Sequence, residues 1–145
     1  MLWQLRPPTD QDVSFVFNSW LKSFRQAPAM ANISNTVYFK EAHAQIEKVI
    51  QSPGCRAVVA CDPSPGSENV IYGYGVGEIV DSEFIIHWIY VKHPFRGFGV
   101  GKAIEAELLK TPHETVSFSC YSNLSNALTK SRKYTYNPFK FWSKQ

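Results

Sequence analysis

The sequence contains few residues of the kinds that mark secreted or membrane proteins. Cysteine occurs only three times among 145 residues, and its positions are too scattered for a disulfide framework or a zinc site. We therefore expect reduced thiols and no bound metal. No apolar run reaches membrane-spanning length, and the first residues lack the pattern of a signal peptide. These absences predict a cytoplasmic protein that does not enter a membrane.

Acidic residues are missing from the last part of the chain. None follows Glu114, whereas the same stretch contains these basic residues: Lys130, Arg132, Lys133, Lys140 and Lys144. A block of positive charge is often a solvated face, but it also attracts anionic ligands or nucleic acid. The net charge of the whole chain is only +3, so the bias is moderate.

The composition indicates a single domain that covers residues 1–145. Apolar residues make up 44% of the chain, which is typical of a globular protein and unlike a disordered one. A chain of this length can bury one hydrophobic core.

Hydrophobic periodicity predicts the element order β-α-α-β-β-β-α-β-α-β. Thr9 or Asp10 is expected to cap a first helix, and a second helix is predicted over Val37 to Ile50. The run FIIHWIYV is apolar on both faces, as in a central strand. The remaining predictions are strands at LWQLRP, CRAVVACD, VIYGYGVGEIV and TVSFSCYS, helices over Gly97 to Lys110 and at NLSNALTKSRKY, and a short final strand at NPFKFW.

A glycine-rich turn separates the run FIIHWIYV from the helix that follows it. A strand that leads into a helix N-terminus directs free backbone N–H groups and the positive end of the helix dipole at one point, which suits a phosphate. Gly97, Gly99 and Gly101 allow a phosphate to approach the backbone, and Arg96 and Lys102 add positive charge. The spacing matches neither the GxxxxGK[ST] loop nor the dinucleotide-binding fingerprint.

The segment IYVKHPFRGFGVGKAIEAELL resembles the central motif of the GNAT superfamily of acyl-CoA-dependent N-acetyltransferases. Arg96, Gly99 and Gly101 occupy the defined positions of the pattern [Q/R]-x-x-G-x-[G/A], and Val91 matches the valine that ends the preceding strand. The resemblance implies an α+β (mixed α/β) fold. Its mixed, mostly antiparallel central sheet is splayed between strands 4 and 5 and flanked by helices.

The same resemblance implies acetyl-CoA as co-substrate. Its pantetheine arm would pair with backbone groups of Ile89, Tyr90 and Val91 on strand 4. Its pyrophosphate would lie on the amides of Arg96, Gly97, Phe98, Gly99, Val100, Gly101 and Lys102. Asn123 matches an asparagine that contacts the cofactor after strand 5, although an asparagine there also suits a turn or a helix cap.

The catalytic residues are less directly indicated. By the two-residue period of a strand, Glu83, Ile85, His87 and Ile89 share one face. The glutamate that the family often has on this strand falls on Ile85, so His87 is the predicted general base, with Glu83 and Glu78 as rivals. A hydrogen-bonded core histidine is the alternative interpretation. The backbone N–H of Ile89 is the predicted oxyanion donor.

The general acid of the family is commonly a tyrosine in the last helix, and this sequence departs from that pattern. The family spacing falls on Lys130 or Ser131, so Tyr134 is the predicted acid and Tyr121 the alternative.

The function implied is transfer of an acetyl group from acetyl-CoA to a primary amine of an unidentified acceptor. The alternative is a GNAT-fold module that binds CoA without catalysis or associates with nucleic acid. The chain is expected to act as a monomer or a homodimer.

Overall fold

A computed structural model describes residues 1–120 and 134–143 of the chain. The strands and helices within these ranges are, in chain order, β1 (Gln4–Arg6), α1 (Asp10–Phe24), α2 (Asn35–Gln51), β2 (Cys55–Cys61), β3 (Ile71–Val80), β4 (Glu83–Val91), α3 (Val100–Leu108), β5 (Thr115–Phe118), β6 (Thr135–Tyr136) and α4 (Phe139–Trp142). Short 3₁₀ helices cover Pro28–Met30 and His93–Phe95. The predicted helix at NLSNALTKSRKY lies almost entirely outside the described residues.

The strands form one six-stranded sheet in the order β1-β2-β3-β4-β5-β6. Pairing is antiparallel from β1 to β4 and parallel from β4 through β5 to β6. The predicted fold class, a mixed and mostly antiparallel sheet flanked by helices, is confirmed. The central place predicted for β4 is also confirmed, since it pairs with β3 on one side and β5 on the other.

The pairing of β4 with β5 is short. Only residues Glu83–Ile86 are in register with Thr115–Phe118, and the backbone N–H of Ser119 adds a bond of 3.1 Å to the carbonyl of Ile86. The rest of β4 continues to pair with β3 as far as Val91. Within the described residues, the second half of β4 therefore has a free edge on the side of β5, as the predicted splay requires.

The sheet carries a hydrophobic cluster on each face. One cluster packs under α1, α2 and α4 around Trp20, Tyr38, Ile46, Trp88 and Phe141. The other packs under α3 around Phe84, Ile86, Val91, Ile104 and Leu108. We refer to these as the α1 face and the α3 face of the sheet.

Polar groups fix the beginning of α1 on the end of β1. Thr9 caps the helix, and its backbone N–H donates to the Asp12 carboxylate at 2.6 Å. The guanidinium of Arg6 forms an ion pair with the same carboxylate at 2.7 Å. This hydrogen bond with Arg6 is the main reason that the pKa of Asp12 lies below its ordinary value.

Local chemistry shifts two helix boundaries from their predicted places. Ser34 caps α2 by accepting a bond of 3.3 Å from the N–H of Val37, so the helix starts two residues earlier than predicted. The helix α3 starts at Val100 instead of Gly97, because both Gly97 and Gly99 have a positive φ that is incompatible with a helix.

The prediction of a final strand at NPFKFW was wrong. The strand β6 precedes this segment, and Phe139–Trp142 form the short helix α4. Asn137 ends the strand, because its side-chain oxygen accepts a bond of 3.1 Å from the N–H of Phe139. The helical turn then places Phe141 in the core of the α1 face, where it is fully buried.

No helix in residues 1–120 or 134–143 has the length and apolarity needed to cross a membrane.

Candidate functional site

The turn after β4 has the backbone geometry that its glycines predicted. Gly97 and Gly99 adopt φ values of +86° and +93°, in the left-handed region that other residues rarely enter. Gly101 differs, because it lies in the first turn of α3 and has no positive φ. A Cβ atom at Gly101 would meet only the Val91 side chain, at an ordinary 3.7 Å. The fold therefore requires two of the three glycines, and it does not account for Gly101.

This turn forms an open cradle of backbone N–H groups. Gly99 is the N-cap residue of α3 and provides no side chain to cap the helix. The first N–H groups of a helix have no partner within it, and the helix dipole makes this end partly positive. Arg96 and Lys102 are both exposed beside the cradle. The arrangement suits an anion with several oxygen atoms, such as a diphosphate.

Neighbouring contacts hold the cradle against the end of β4. The ring of Phe95 stacks on Tyr72 with 4.1 Å between the ring centroids. The Nε atom of Arg96 donates to the carbonyl of Val91 at 2.8 Å. The cradle is thus fixed at the end of the free edge of β4.

The direction of the β4 backbone groups follows from its pairing with β3. The N–H of Lys92 donates to the carbonyl of Tyr72, so these two residues are a hydrogen-bonded pair. Hydrogen-bonded and non-hydrogen-bonded pairs alternate along antiparallel strands. The backbone of Tyr90 therefore faces β3, whereas the backbones of Ile89 and Val91 face the free edge. This placement fits the pairing predicted for Ile89 and Val91. It does not fit the pairing predicted for the backbone of Tyr90.

His87 lies at a β-bulge, which sequence alternation did not reveal. Val76 pairs with Trp88 and Gly77 pairs with Ile86, so His87 is an extra residue in β4. The bulge reverses the alternation of side chains beyond it. The His87 ring lies near Trp20 on the α1 face, whereas Ile89 packs with the cluster of the α3 face. The prediction that His87 and Ile89 share a face was wrong for this reason.

Both ring nitrogens of His87 are hydrogen-bonded within the protein. Nδ1 is 2.5 Å from the Oγ atom of Ser119, and Nε2 is 3.1 Å from Oε1 of Glu78. The other carboxylate oxygen of Glu78 accepts a bond of 2.6 Å from the hydroxyl of Ser52. His87, Ser119 and Glu78 are no more than 2% exposed. The structure thus brings the predicted base together with its predicted rival Glu78 and with two serines.

Glu83, the other rival, lies apart from this network at the start of β4. Its carboxylate forms an ion pair with the ammonium of Lys140 at 3.2 Å. Nearby, Glu78, Ile85 and Lys140 contribute to the lining of a cavity of about 480 Å³. Glu78 therefore connects the buried network to an open space on the surface.

Tyr134, the predicted general acid, lies among residues of the α3 face. Its hydroxyl donates to Oε1 of Glu105 at 3.2 Å. Glu105 is a buried carboxylate of α3 that was not predicted as a site residue from the sequence. The role of Tyr134 as general acid remains a prediction. Asn123 and the alternative acid Tyr121 lie outside the described residues, as do Lys130 and Ser131.

Ser119 and Ser52 were not predicted from the sequence. Ser117 and Ser119 alternate with apolar residues in TVSFSCYS, and both are 1% exposed. Polar residues on the inward face of a buried strand need partners, and this pattern was the signal that could have identified Ser119. In residues 1–120 and 134–143, no group of three or more His, Cys, Asp or Glu side chains could hold a metal ion.

Several solved structures with a similar fold are named acetyltransferases. The PaiA N-acetyltransferase of Thermoplasma acidophilum, in complex with coenzyme A, has a TM-score of 0.60 and 14% identity over 92% of this chain and 88% of that one. A predicted acetyltransferase of Clostridium acetobutylicum with acetyl-CoA has a TM-score of 0.62 and 15% identity over 92% and 90%. The aminoglycoside N-acetyltransferase AAC(6')-Iy, in complex with CoA, has a TM-score of 0.54 and 13% identity over 92% and 88%.

No family model matches the sequence, and no curated protein does. The chain has the fold of GNAT-superfamily acetyltransferases, as its glycine motif predicted. Sequence identities of 13% to 15% establish a shared fold and do not establish the reaction.

Proposed function

We propose that this protein is an N-acetyltransferase that transfers an acetyl group from acetyl-CoA to a primary amine. The observation that carries the proposal is the uncapped N-terminus of α3 at the end of the free edge of β4. Gly101 supports it, because the fold would tolerate a side chain there. Close approach of a ligand to the backbone gives Gly101 a role. Two of the similar structures were solved with coenzyme A and one with acetyl-CoA.

In this proposal the chain binds acetyl-CoA along one continuous surface. The diphosphate lies on the amides from Gly97 to Lys102, because the N–H of Arg96 already donates to the carbonyl of His93 at 3.2 Å. The side chains of Arg96 and Lys102 balance its charge. The pantetheine arm extends β4 by pairing with the backbones of Ile89 and Val91. The carbonyl of Val91 already accepts a hydrogen bond from Arg96. The pantetheine arm would therefore pair with the N–H groups of this edge.

Transfer to an amine requires removal of a proton from the attacking nitrogen and stabilisation of the oxyanion. The N–H of Ile89 faces the free edge and is the proposed oxyanion donor. His87 is the proposed base. Because both of its ring nitrogens are hydrogen-bonded, His87 would exchange a proton through Ser119 or Glu78. Tyr134 remains the proposed acid.

The alternative of a nucleic-acid-associated module gains no support from the described residues. Lys140, one of the basic residues after Glu114, is paired with Glu83. The cytoplasmic location and the monomeric or dimeric state remain predictions.

Isothermal titration tests the proposal in its first step. Acetyl-CoA, CoA and desulfo-CoA are titrated into the purified protein, and we expect one site per chain for all three because the cradle binds their common diphosphate. Absence of heat with folded protein would contradict the proposal. If the ligands bind, release of CoA thiol is followed with a panel of primary amines. Binding without acceptor-dependent release from any amine would favour the non-catalytic alternative.

A further inference from the structure

The turn after β4 presents an aromatic ring to solvent. Phe98 lies between Gly97 and Gly99, the two residues of the turn with a positive φ, and it is 52% exposed. It belongs to neither hydrophobic cluster of the sheet, and its ring contacts no other aromatic ring in residues 1–120 and 134–143. Packing within these residues therefore gives no reason for a phenylalanine at this position.

Other aromatic residues near the turn do have packing roles. Phe95 stacks on Tyr72, and both rings pack in the cluster of the α3 face. Trp3 packs against the same cluster, and a Cβ atom at Gly99 would lie 3.9 Å from Cη2 at the edge of its indole ring. These residues hold the turn in place, whereas truncation of Phe98 would remove no contact of this kind. The role of Phe98 is therefore to be sought in what the turn binds.

The space around Phe98 is open enough for a flat ligand. A Cβ atom at Gly97 would meet no atom within 4 Å, and one at Gly99 would meet only the edge of Trp3. Because both glycines have a positive φ that strains any other residue, neither position can carry a side chain that covers the ring. A planar group can thus approach Phe98 from solvent.

The turn combines three kinds of chemistry that together suit a nucleoside diphosphate. Its backbone amides and the exposed side chains of Arg96 and Lys102 suit the phosphates. A single exposed apolar residue is common on protein surfaces, but Phe98 is exposed in the middle of an anion cradle. An aromatic ring offers a flat face on which a nucleobase can stack.

We propose that Phe98 is the stacking platform for the adenine base of the donor. The inference rests on the proposed function for the identity of that donor, acetyl-CoA. In CoA, the diphosphate joins the pantetheine arm to adenosine. Because the arm is proposed to run back along β4 toward Ile89, the adenosine leaves from the opposite end of the diphosphate. That end lies at the turn that carries Phe98.

The consequence is selectivity for donors that contain the nucleotide. Removal of an aromatic platform weakens base stacking by about 5-fold to 150-fold in affinity. An acyl group on phosphopantetheine alone has neither the second phosphate nor the base, so it gains nothing from Phe98. The ring thereby favours acyl-CoA over acyl donors whose phosphopantetheine has no adenosine attached.

Phe139 provides a matched control for Phe98. It is 72% exposed, lies on α4, and is no part of the proposed donor surface. Phe98→Ala and Phe139→Ala each remove an exposed ring, and only the first removes the proposed platform. A third variant, Phe98→Tyr, keeps the aromatic face and should restore the stacking.

The test measures the binding of CoA and of its fragments to the purified protein. CoA and phosphopantetheine are titrated by calorimetry, and ADP and inorganic pyrophosphate are followed by proton and phosphorus NMR. In Phe98→Ala, the affinities for CoA and ADP should fall at least about 5-fold, whereas those for phosphopantetheine and pyrophosphate should not change. Phe98→Tyr and Phe139→Ala should bind all four ligands as the unchanged protein does. The adenine ring protons of ADP should move upfield on binding, and this shift should disappear in Phe98→Ala.

The outcomes separate this inference from the proposed function. If CoA binds and Phe98→Ala binds CoA and ADP as tightly as Phe139→Ala, the inference is overturned and the proposed function stands. An equal loss of affinity for pyrophosphate would also overturn it, because Phe98 would then shape the turn without contacting the base. If neither acetyl-CoA nor CoA binds, the proposed function fails and ADP decides. Binding of ADP that depends on Phe98 then supports the platform with another adenine nucleotide, and absence of ADP binding overturns it.

Discussion

Replacement of Gly101 by glutamate should stabilise the fold and abolish binding of CoA. Gly101 is the second residue of α3, has no positive φ, and has room for a Cβ atom at 3.7 Å from Val91. Glutamate in place of glycine improves helix propensity by about 0.5 kcal/mol, and a negative charge in the first turn adds about 0.5 kcal/mol. The sum, about 1 kcal/mol, should raise the thermal midpoint by about 4 °C for a domain of this size.

The same substitution places a carboxylate where the diphosphate is proposed to lie. Loss of two charge-assisted hydrogen bonds at about 1.5 kcal/mol each would weaken binding at least about 100-fold. Repulsion between the carboxylate and the ligand would weaken it further. The binding of CoA is measured by isothermal titration, and stability by thermal and urea denaturation of the free protein.

The control is Ala106→Glu, which adds the same charge to an exposed position of the same helix. We expect it to bind CoA as the unchanged protein does. A Gly101→Glu protein that binds CoA as tightly as Ala106→Glu would contradict the proposed diphosphate site. If Gly101→Glu unfolds at a lower temperature than the unchanged protein, the fold itself requires glycine at this position, and no ligand is needed to explain it.

Three further predictions concern the fold. Gly99→Ala should lower the free energy of unfolding by about 1 kcal/mol in urea denaturation, because its φ of +93° strains any side chain, and an unchanged midpoint would contradict this. Asp12→Asn should destabilise the protein by about 3 kcal/mol at neutral pH, since it breaks a buried ion pair with Arg6 and a helix cap. The pKa of Asp12 is lowered by folding, so the difference in free energy of unfolding between the two proteins should be constant above about pH 5 and shrink as the pH falls below about 4. A difference in free energy that does not depend on pH would contradict the assignment. Burial raises the pKa of the Cys120 thiol to about 12, so iodoacetamide at pH 7.5 should modify half-buried Cys55 in the native protein and reach Cys120 only in denaturant, as read by peptide mass.

The sequence was sufficient to identify features that depend on neighbouring residues. A positive φ needs glycine, so the turn at Gly97 and Gly99 could be predicted from the order of residues alone. The same holds for the apolar strand before the turn and the apolar stripe of the helix after it. Because the cradle is built from consecutive backbone amides, its chemistry was predictable before any tertiary contact was known.

The interior of the candidate site was decided by pairing between distant segments. The bulge at His87 depends on the register of β3 against β4, and a period of two residues carries no information about an inserted residue. The bulge turns His87 toward the α1 face, where Glu78, Ser52 and Ser119 meet it from separate segments. Local sequence determines which backbone conformations are possible, and only the packed sheet determines which side chains become neighbours.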